Sequence, residues 1–136
     1  MANAEVLCIE DDSQLSLVIA MHLQHHGVRV TRAFTGMEGY SKALHLRPSV
    51  IISDLTMPDG DGSYILYRLR SHPLTCDIPF IVLTGKCNPG LQRSLLAMGA
   101  DAYLRKPLIV EELLAALRQF IPIQPRHQPV PAGELP

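Results

Sequence analysis

The sequence predicts an α/β domain, a doubly wound parallel sheet of five strands with helices on both faces. Three observations carry this. Five times along the chain a short apolar run of strand length gives way to turn residues and then to a helical pattern, the alternation that builds a parallel sheet through right-handed crossovers. The third and fourth runs, at 50–52 and 80–83, are continuously apolar, as strands buried on both faces are. The chain has 136 residues, 47% hydrophobic and 18% charged, which suits one domain with a single sizeable core and excludes a disordered polymer.

Each element has its own local reason. Residues 5–9, Glu-Val-Leu-Cys-Ile, form a short buried strand that runs into Glu10-Asp11-Asp12-Ser13. A helical pattern follows with Leu15, Val18, Ile19 and Leu23 as its inward stripe and Gly27 as terminator. Residues 28–33 make the second strand. Thr35 with Glu38 makes a capping box for the second helix, which ends before Pro48. Residues 50–53 form strand three, 63–70 helix three, and 71–79 a connection with two prolines. Residues 80–83 form strand four, ending in Thr84. Pro89 opens helix four and Gly99 closes it. Residues 102–105 form strand five, ending in Lys106-Pro107. Helix five spans 110–120, with Glu111 and Glu112 in its first turn where the helix dipole favours acids. From 121 onward five of sixteen residues are proline, so residues 121–136 read as an extended or flexible tail, either terminal or the start of a linker. The organised domain is thus 1–120.

Several function classes drop out on composition. A net charge of −1 implies no broad attraction to nucleic acid or anionic membrane. No apolar run approaches the ~20 residues of a membrane helix, and the first residues lack the basic and apolar regions of a signal peptide. Cys8, Cys76 and Cys87 are odd in number and widely spaced, neither a disulfide framework nor a ligand set, so a reducing, cytoplasmic setting is expected. His22 and His26 stand at i, i+4, but no Cys or acid nearby in sequence completes a metal set, and a histidine-bearing helix face is the better reading.

The chemistry lies at the strand ends. In open α/β sheets ligands sit beyond the carboxyl ends of the strands. Those ends carry Glu10 and Asp11, Asp54, Thr84 and Lys106. With strands one and three as neighbours, Glu10, Asp11 and Asp54 converge. Two unit charges ~4 Å apart repel by about 4 kcal/mol at an effective dielectric of ~20, so the cluster must raise its pKa values or hold a cation. Oxygen ligands with several waters suit Mg²⁺. Asp11 and Asp54 are the expected carboxylate ligands, and the backbone carbonyl of Thr56 is placed for another contact. A carboxylate can attack phosphorus, and phosphoryl transfer asks mainly for positioning and neutralised charge. Lys106 supplies an ammonium and Thr84 a hydroxyl. A cis peptide at Lys106–Pro107 would aim the lysine back into the site.

The set Glu10-Asp11, Asp54 within Asp-Leu-Thr-Met-Pro-Asp-Gly-Asp-Gly, Thr84, Tyr103 and Lys106-Pro107, with Asp54, Thr84 and Lys106 spaced 30 and 22 residues apart, resembles the receiver domain of bacterial two-component response regulators over roughly residues 5–120. The resemblance implies a flavodoxin-like (βα)5 sheet in the order 2-1-3-4-5. It implies that Asp54 takes a phosphoryl group from a sensor histidine kinase or histidine phosphotransfer protein in a Mg²⁺-dependent reaction. It implies Thr84 and Tyr103 as a switch pair, and a signalling face made by helix four, strand five and helix five that meets a downstream protein or an output domain. Catalysis is then limited to acquiring and losing the group on Asp54 itself. Gly60 stands where the family usually has a larger apolar residue. Lys86, two past Thr84, borders the expected phosphoryl group and with Thr56 is expected to tune its lifetime. Helix five lacks the outward basic run of receivers that dimerise there to bind DNA.

Each of these residues also has a plainer role. Asp11 and Asp12 can cap the first helix, Asp54 can start a turn, and Lys106 can be a solvated lysine. Thr84 suits a strand end, Tyr103 a half-buried core position and Cys8 a small buried one. All of the plainer roles holding together at these spacings is the weaker explanation. A phosphatase of the haloacid-dehalogenase type needs a second Asp two past the nucleophile, where this chain has Thr56, and a nucleotide-binding relative needs a Gly-rich first turn, where Glu10-Asp11-Asp12 would repel a pyrophosphate. The remaining alternative is a receiver module cut from a larger multidomain regulator or hybrid kinase. No helix-turn-helix or kinase core is visible.

Overall fold

The computed structural model describes residues 4–57, 61–86 and 88–125. Five strands, β1 (Glu5–Ile9), β2 (Arg29–Ala33), β3 (Val50–Asp54), β4 (Phe80–Thr84) and β5 (Ala102–Arg105), alternate with five helices, α1 (Ser13–His25), α2 (Gly36–Leu46), α3 (Gly62–Arg70), α4 (Pro89–Ala97) and α5 (Val110–Arg118). All pairings are parallel and the order is β2-β1-β3-β4-β5, the order the resemblance implied.

Side chains alternate between two cores because the strand period is two. Leu7, Ile9, Ile51, Phe80 and Val82 pack with Ile65, Leu66 and Leu69 of α3 and Leu95 of α4. Val6, Cys8, Val50, Ile52, Ile81 and Leu83 pack with Ile19 and Leu23 of α1 and Leu113 and Leu117 of α5. Every residue of β3 and β4 is buried, which is why these strands carry uninterrupted apolar runs.

The helix starts follow the capping chemistry. Asp12 accepts hydrogen bonds from Gln14 N and Leu15 N at 3.0 and 3.2 Å. Thr35 Oγ1 accepts from Glu38 N at 3.1 Å, while the Glu38 carboxylate reaches Phe34 N at 2.6 Å, one residue beyond the usual capping-box partner. Gly27 and Gly99 end α1 and α4 with φ of 78° and 106°.

Three expectations are corrected. Val18 is 42% exposed; α1 buries Ser16, Ile19, Ala20 and Leu23, with Ser16 drawn inward by a hydrogen bond from Arg32 Nε at 2.8 Å. Helix five stops at Arg118, not 120. The chain after α5 does find a surface to cover. Ile121 is buried and Ile123 packs on the α1–α5 core. Gln124 N donates to the His26 carbonyl at 3.1 Å, and His26 Nδ1 donates to the Gln124 carbonyl at 2.7 Å. That bond gives His26 a structural role. Cys87, Gly60 and the tail beyond 125 lie outside the described residues.

Truncation after Phe120 is therefore expected to lower folding stability by about 1–2 kcal/mol, the burial of one isoleucine less its ordering cost, measured by urea denaturation. An unchanged midpoint would mean that residues 121–124 contribute nothing.

Candidate functional site

The sheet register brings the chemistry to one edge. Ile9 pairs with Ser53, Asp54 with Leu83, and Thr84 with Arg105, so the residues just past Ile9, at Asp54 and just past Arg105 share a rim. Carboxylate oxygens of Glu10, Asp11 and Asp54 lie within 4.8 Å of one another, the one such cluster of metal-ligating side chains among the described residues. Glu10 and Asp54 are buried at 2% and 7% exposure, whereas Asp11 is open to solvent.

Each buried carboxylate is held at two points. Glu10 Oε2 accepts from Asp12 N at 3.1 Å, and Oε1 lies 2.9 Å from Lys106 Nζ. Asp54 Oδ1 accepts from Leu55 N at 2.7 Å, and Oδ2 lies 3.5 Å from the same ammonium. Lys106 follows β5 directly, with its N–H on the Thr84 carbonyl at 2.8 Å, and the Lys106–Pro107 peptide is cis.

The electrostatics are those of a crowded anionic pocket with one cation. Burial pushes the Glu10 carboxyl above the ordinary range, and the Asp54 charge adds to this, against the opposing pull of Lys106 and Asp12 N–H. For Lys106 burial works downward, but the Glu10 and Asp54 carboxylates outweigh it and the ammonium is held above its usual value. The Cys8 thiol, behind the site in β1, is pushed up to about 12, chiefly by burial, and is chemically quiet.

The donor set fits a hard divalent cation. It is all oxygen, it spans the right distance, and Glu10 Oε1 is a buried acceptor that receives no well-angled hydrogen bond, being met by Lys106 as an ion pair only. Glu10, Asp11 and Asp54 could hold the ion. Thr56 is exposed two residues beyond Asp54.

Thr84 and Tyr103 meet the same residue, Lys86, at its two backbone ends. Thr84 is buried at the end of β4, and its Oγ1 accepts from Lys86 N at 3.1 Å. The Tyr103 hydroxyl, from half-buried Tyr103 in β5, donates to the Lys86 carbonyl at 2.7 Å. The exposed Lys86 side chain stands near enough to Asp61 to help hold that carboxyl below the usual range, after the larger effects of Tyr64 N–H and Ser63. Two supports were not singled out from the sequence. Ser53 Oγ donates to the Asp54 carbonyl at 2.8 Å, and Gly62 N donates to the Leu55 carbonyl at 2.7 Å. The Asp61-Gly62 pair before an apolar helix was the available signal for the second; a buried serine in a strand offers none.

Because the folded Glu10 carboxyl binds its proton more tightly than the unfolded one, folding stability falls as pH rises from the ordinary value of 4.5 through the raised one. Glu10→Gln keeps an acceptor for Asp12 N–H and removes the charge. It is expected to raise the thermal midpoint at pH 7 in cation-free buffer, with the gain vanishing below pH 4.5. A variant no more stable than wild type at pH 7 would mean that Lys106 already offsets the whole burial cost.

Comparison with known proteins gives concordant matches. The family model described as the response regulator receiver domain matches residues 6–118. Among curated proteins, the DNA-binding dual master transcriptional regulator RpaA of Synechocystis is 37% identical over 118 residues, covering 85% of this chain and 48% of its own length. The response regulator ArlR of Staphylococcus aureus is 33% identical over 122 residues, covering 90% of this chain and 54% of its own. The chain thus spans about half the length of these relatives. Among solved structures, the Vibrio cholerae chemotaxis protein CheY4 superposes with a TM-score of 0.83 at 32% identity, covering 88% of this chain and all of its own. The receiver domain of the sensor histidine kinase PA1611 of Pseudomonas aeruginosa, solved with a magnesium ion coordinated in its active site cleft, does so with a TM-score of 0.80 at 29% identity, covering 88% and 98%. Sequence, strand order and family model agree, and the chain belongs to the response regulator receiver domains of two-component signal transduction.

Proposed function

We propose that Asp54 is the phosphoacceptor of this receiver, taking a phosphoryl group from a phosphohistidine on a sensor kinase or phosphotransfer protein. The observation that carries the reading is the position of one ammonium, Lys106 Nζ, 3.5 Å from Asp54 and 2.9 Å from Glu10 at the rim of the sheet. In the transfer the P–N bond to the donor imidazole breaks, a P–O bond to the Asp54 carboxylate forms, and the imidazole nitrogen takes a proton. Lys106 neutralises charge on the phosphoryl oxygens, and the Thr84 hydroxyl donates to one of them. Water later attacks the phosphorus of the resulting acyl phosphate, releasing inorganic phosphate and restoring the Asp54 carboxylate, so the domain acts as a self-modifying switch and not as a general enzyme.

Glu10, Asp11, Asp54 and the Thr56 carbonyl would hold Mg²⁺, which when bound supplies further positive charge to the phosphoryl oxygens. The magnesium in the PA1611 receiver supports that choice of ion. Thr84 turning toward the phosphoryl group must release Lys86 N–H, and the Tyr103 hydroxyl sits on the carbonyl of that same residue, which supports the pair as the switch. The readout face is then α4, β5 and α5, meeting a downstream protein or an output domain. Curated relatives of about twice the length support an output domain as one such partner, and a net charge of −1 supports the absence of nucleic-acid contact by the receiver itself. Among the described residues no helix is long and apolar enough to cross a membrane, and the cytoplasm, where kinase phosphohistidines are made, is the proposed location.

Incubation with Mg²⁺ and acetyl phosphate, followed by intact mass spectrometry, is expected to add one phosphoryl group to the wild type and none to Asp54→Asn. Equal labelling of both would reject Asp54. In the same assay Lys86→Ala is expected to change the decay rate of the adduct, and an unchanged rate would remove Lys86 from lifetime control.

A further inference from the structure

The start of α3 runs unusually close to the backbone of the proposed phosphoacceptor. Gly62, buried, is the first residue of that helix, with Asp61 as its cap. A Cβ built on Gly62 would stand 2.4 Å from the Asp54 carbonyl oxygen, 3.0 Å from Leu55 Cα and 3.3 Å from the Asp54 carbonyl carbon. All three are backbone atoms, so no flexible side chain can swing aside. The φ of Gly62 is outside the left-handed region, unlike Gly27 and Gly99, so the requirement here is for space and not for conformation. Gly39, Gly90 and Gly85 differ in kind. Gly39 faces the Ile9 side chain, Gly90 faces Asn88 Oδ1 at 3.2 Å, and Gly85 faces nothing within 4 Å.

The neighbours decide what would yield to a side chain at 62. On one side α3 is pinned by Ile65, Leu66 and Leu69, all fully buried. On the other, β3 is paired on both edges, and Ser53 Oγ bonds the Asp54 carbonyl at 2.8 Å. Between them lie the Asp54–Leu55 peptide and the Leu55 N–H that orients Asp54 Oδ1 at 2.7 Å. That peptide is the group a methyl at 62 would strike, at its carbonyl oxygen and carbon. A methyl at 62 therefore turns the Leu55 N–H, and with it the carboxylate, and breaks the 2.7 Å bond from Gly62 N to the Leu55 carbonyl, next to Thr56.

We infer that Gly62 is a positioning residue for the cation and phosphoryl site: the absence of its Cβ lets α3 clasp the Asp54–Leu55 backbone and so sets the direction of the Asp54 carboxylate. This rests on Asp54 being the phosphoacceptor. It is a requirement of the acceptor's support and separate from the groups that contact the phosphoryl.

The test compares wild type, Gly62→Ala and Gly27→Ala, the last as a close-packing change at the opposite end of the strands, against the Gln124 side chain. Mg²⁺ affinity is measured by calorimetry at a temperature where all three are folded by circular dichroism. Gly62→Ala is expected to weaken Mg²⁺ binding about tenfold or more, the usual cost of losing a supporting contact, and to slow acetyl phosphate labelling at saturating Mg²⁺. Gly27→Ala, strained at a φ of +78°, should lower the thermal midpoint and leave Mg²⁺ affinity unchanged. Equal Mg²⁺ affinity in wild type and Gly62→Ala would overturn the inference, whereas wild type binding no Mg²⁺ and taking no phosphoryl group would overturn the functional reading beneath it. Should Gly62→Ala fail to fold, the wild type decides alone. In an NMR titration with Mg²⁺ the amide signals of Leu55 and Gly62 are expected to shift together with the same midpoint, and a Gly62 signal that stays still would overturn the inference.

Discussion

Two buried carboxylates and a third at their edge repel one another, and a single lysine holds them together. Glu10, Asp11 and Asp54 bring three formal negative charges within 4.8 Å, and Lys106 returns one positive charge at 2.9 and 3.5 Å. The remainder is two negative charges, the complement of one divalent cation. Such an arrangement is costly where charge is desolvated, and the raised Glu10 carboxyl is the local sign of that cost. The rest of the fold makes it tolerable. Parallel pairing of β1 with β3, β3 with β4 and β4 with β5 fixes the strand ends, so the charges cannot drift apart to relieve their repulsion. Lys106 follows the last residue of β5 directly, its N–H held by the Thr84 carbonyl at 2.8 Å.

The same rigidity bears on the proposed switch pair. Thr84 and Tyr103 come from adjacent strands, and each bonds a different end of residue 86. In the proposed switch, a change at the Thr84 hydroxyl would reach Tyr103 through Lys86, an exposed residue whose displacement is less costly than that of the packed strands. The face beyond it, on α4, β5 and α5, carries fewer buried residues than the central strands, with Leu95 the one buried residue of α4.

Much of this was legible in the residues because the chemistry sits where strand pattern meets turn pattern. Asp54 and Lys106 are conspicuous for that reason, and the uninterrupted apolar runs of β3 and β4 announce a sheet covered on both faces. The inward face of α1 was less clear. Leu15, Leu17, Val18, Ile19, Met21 and Leu23 crowd the helix with apolar residues, so periodicity alone admits more than one stripe, and it is the bond from Arg32 in β2 to Ser16 that marks the buried side. The docking of residues 121–124 was hidden by the proline-rich composition of 121–136, and their partner, His26, lies 98 residues from Gln124 along the chain. The close approach at Gly62 is a property of two elements together and leaves no periodic trace.

The central claim is that the acidic rim is built to bind a divalent cation, and its most direct test is the thermal midpoint of the wild type against Asp11→Asn as Mg²⁺ is added at constant ionic strength. Binding to the folded state alone stabilises by about 2.7 kcal/mol at a concentration of ~100 Kd. The wild-type midpoint is expected to rise with Mg²⁺ and that of Asp11→Asn to rise far less at the same concentrations. A wild type whose midpoint ignores Mg²⁺, or a variant that follows it equally, would contradict the account.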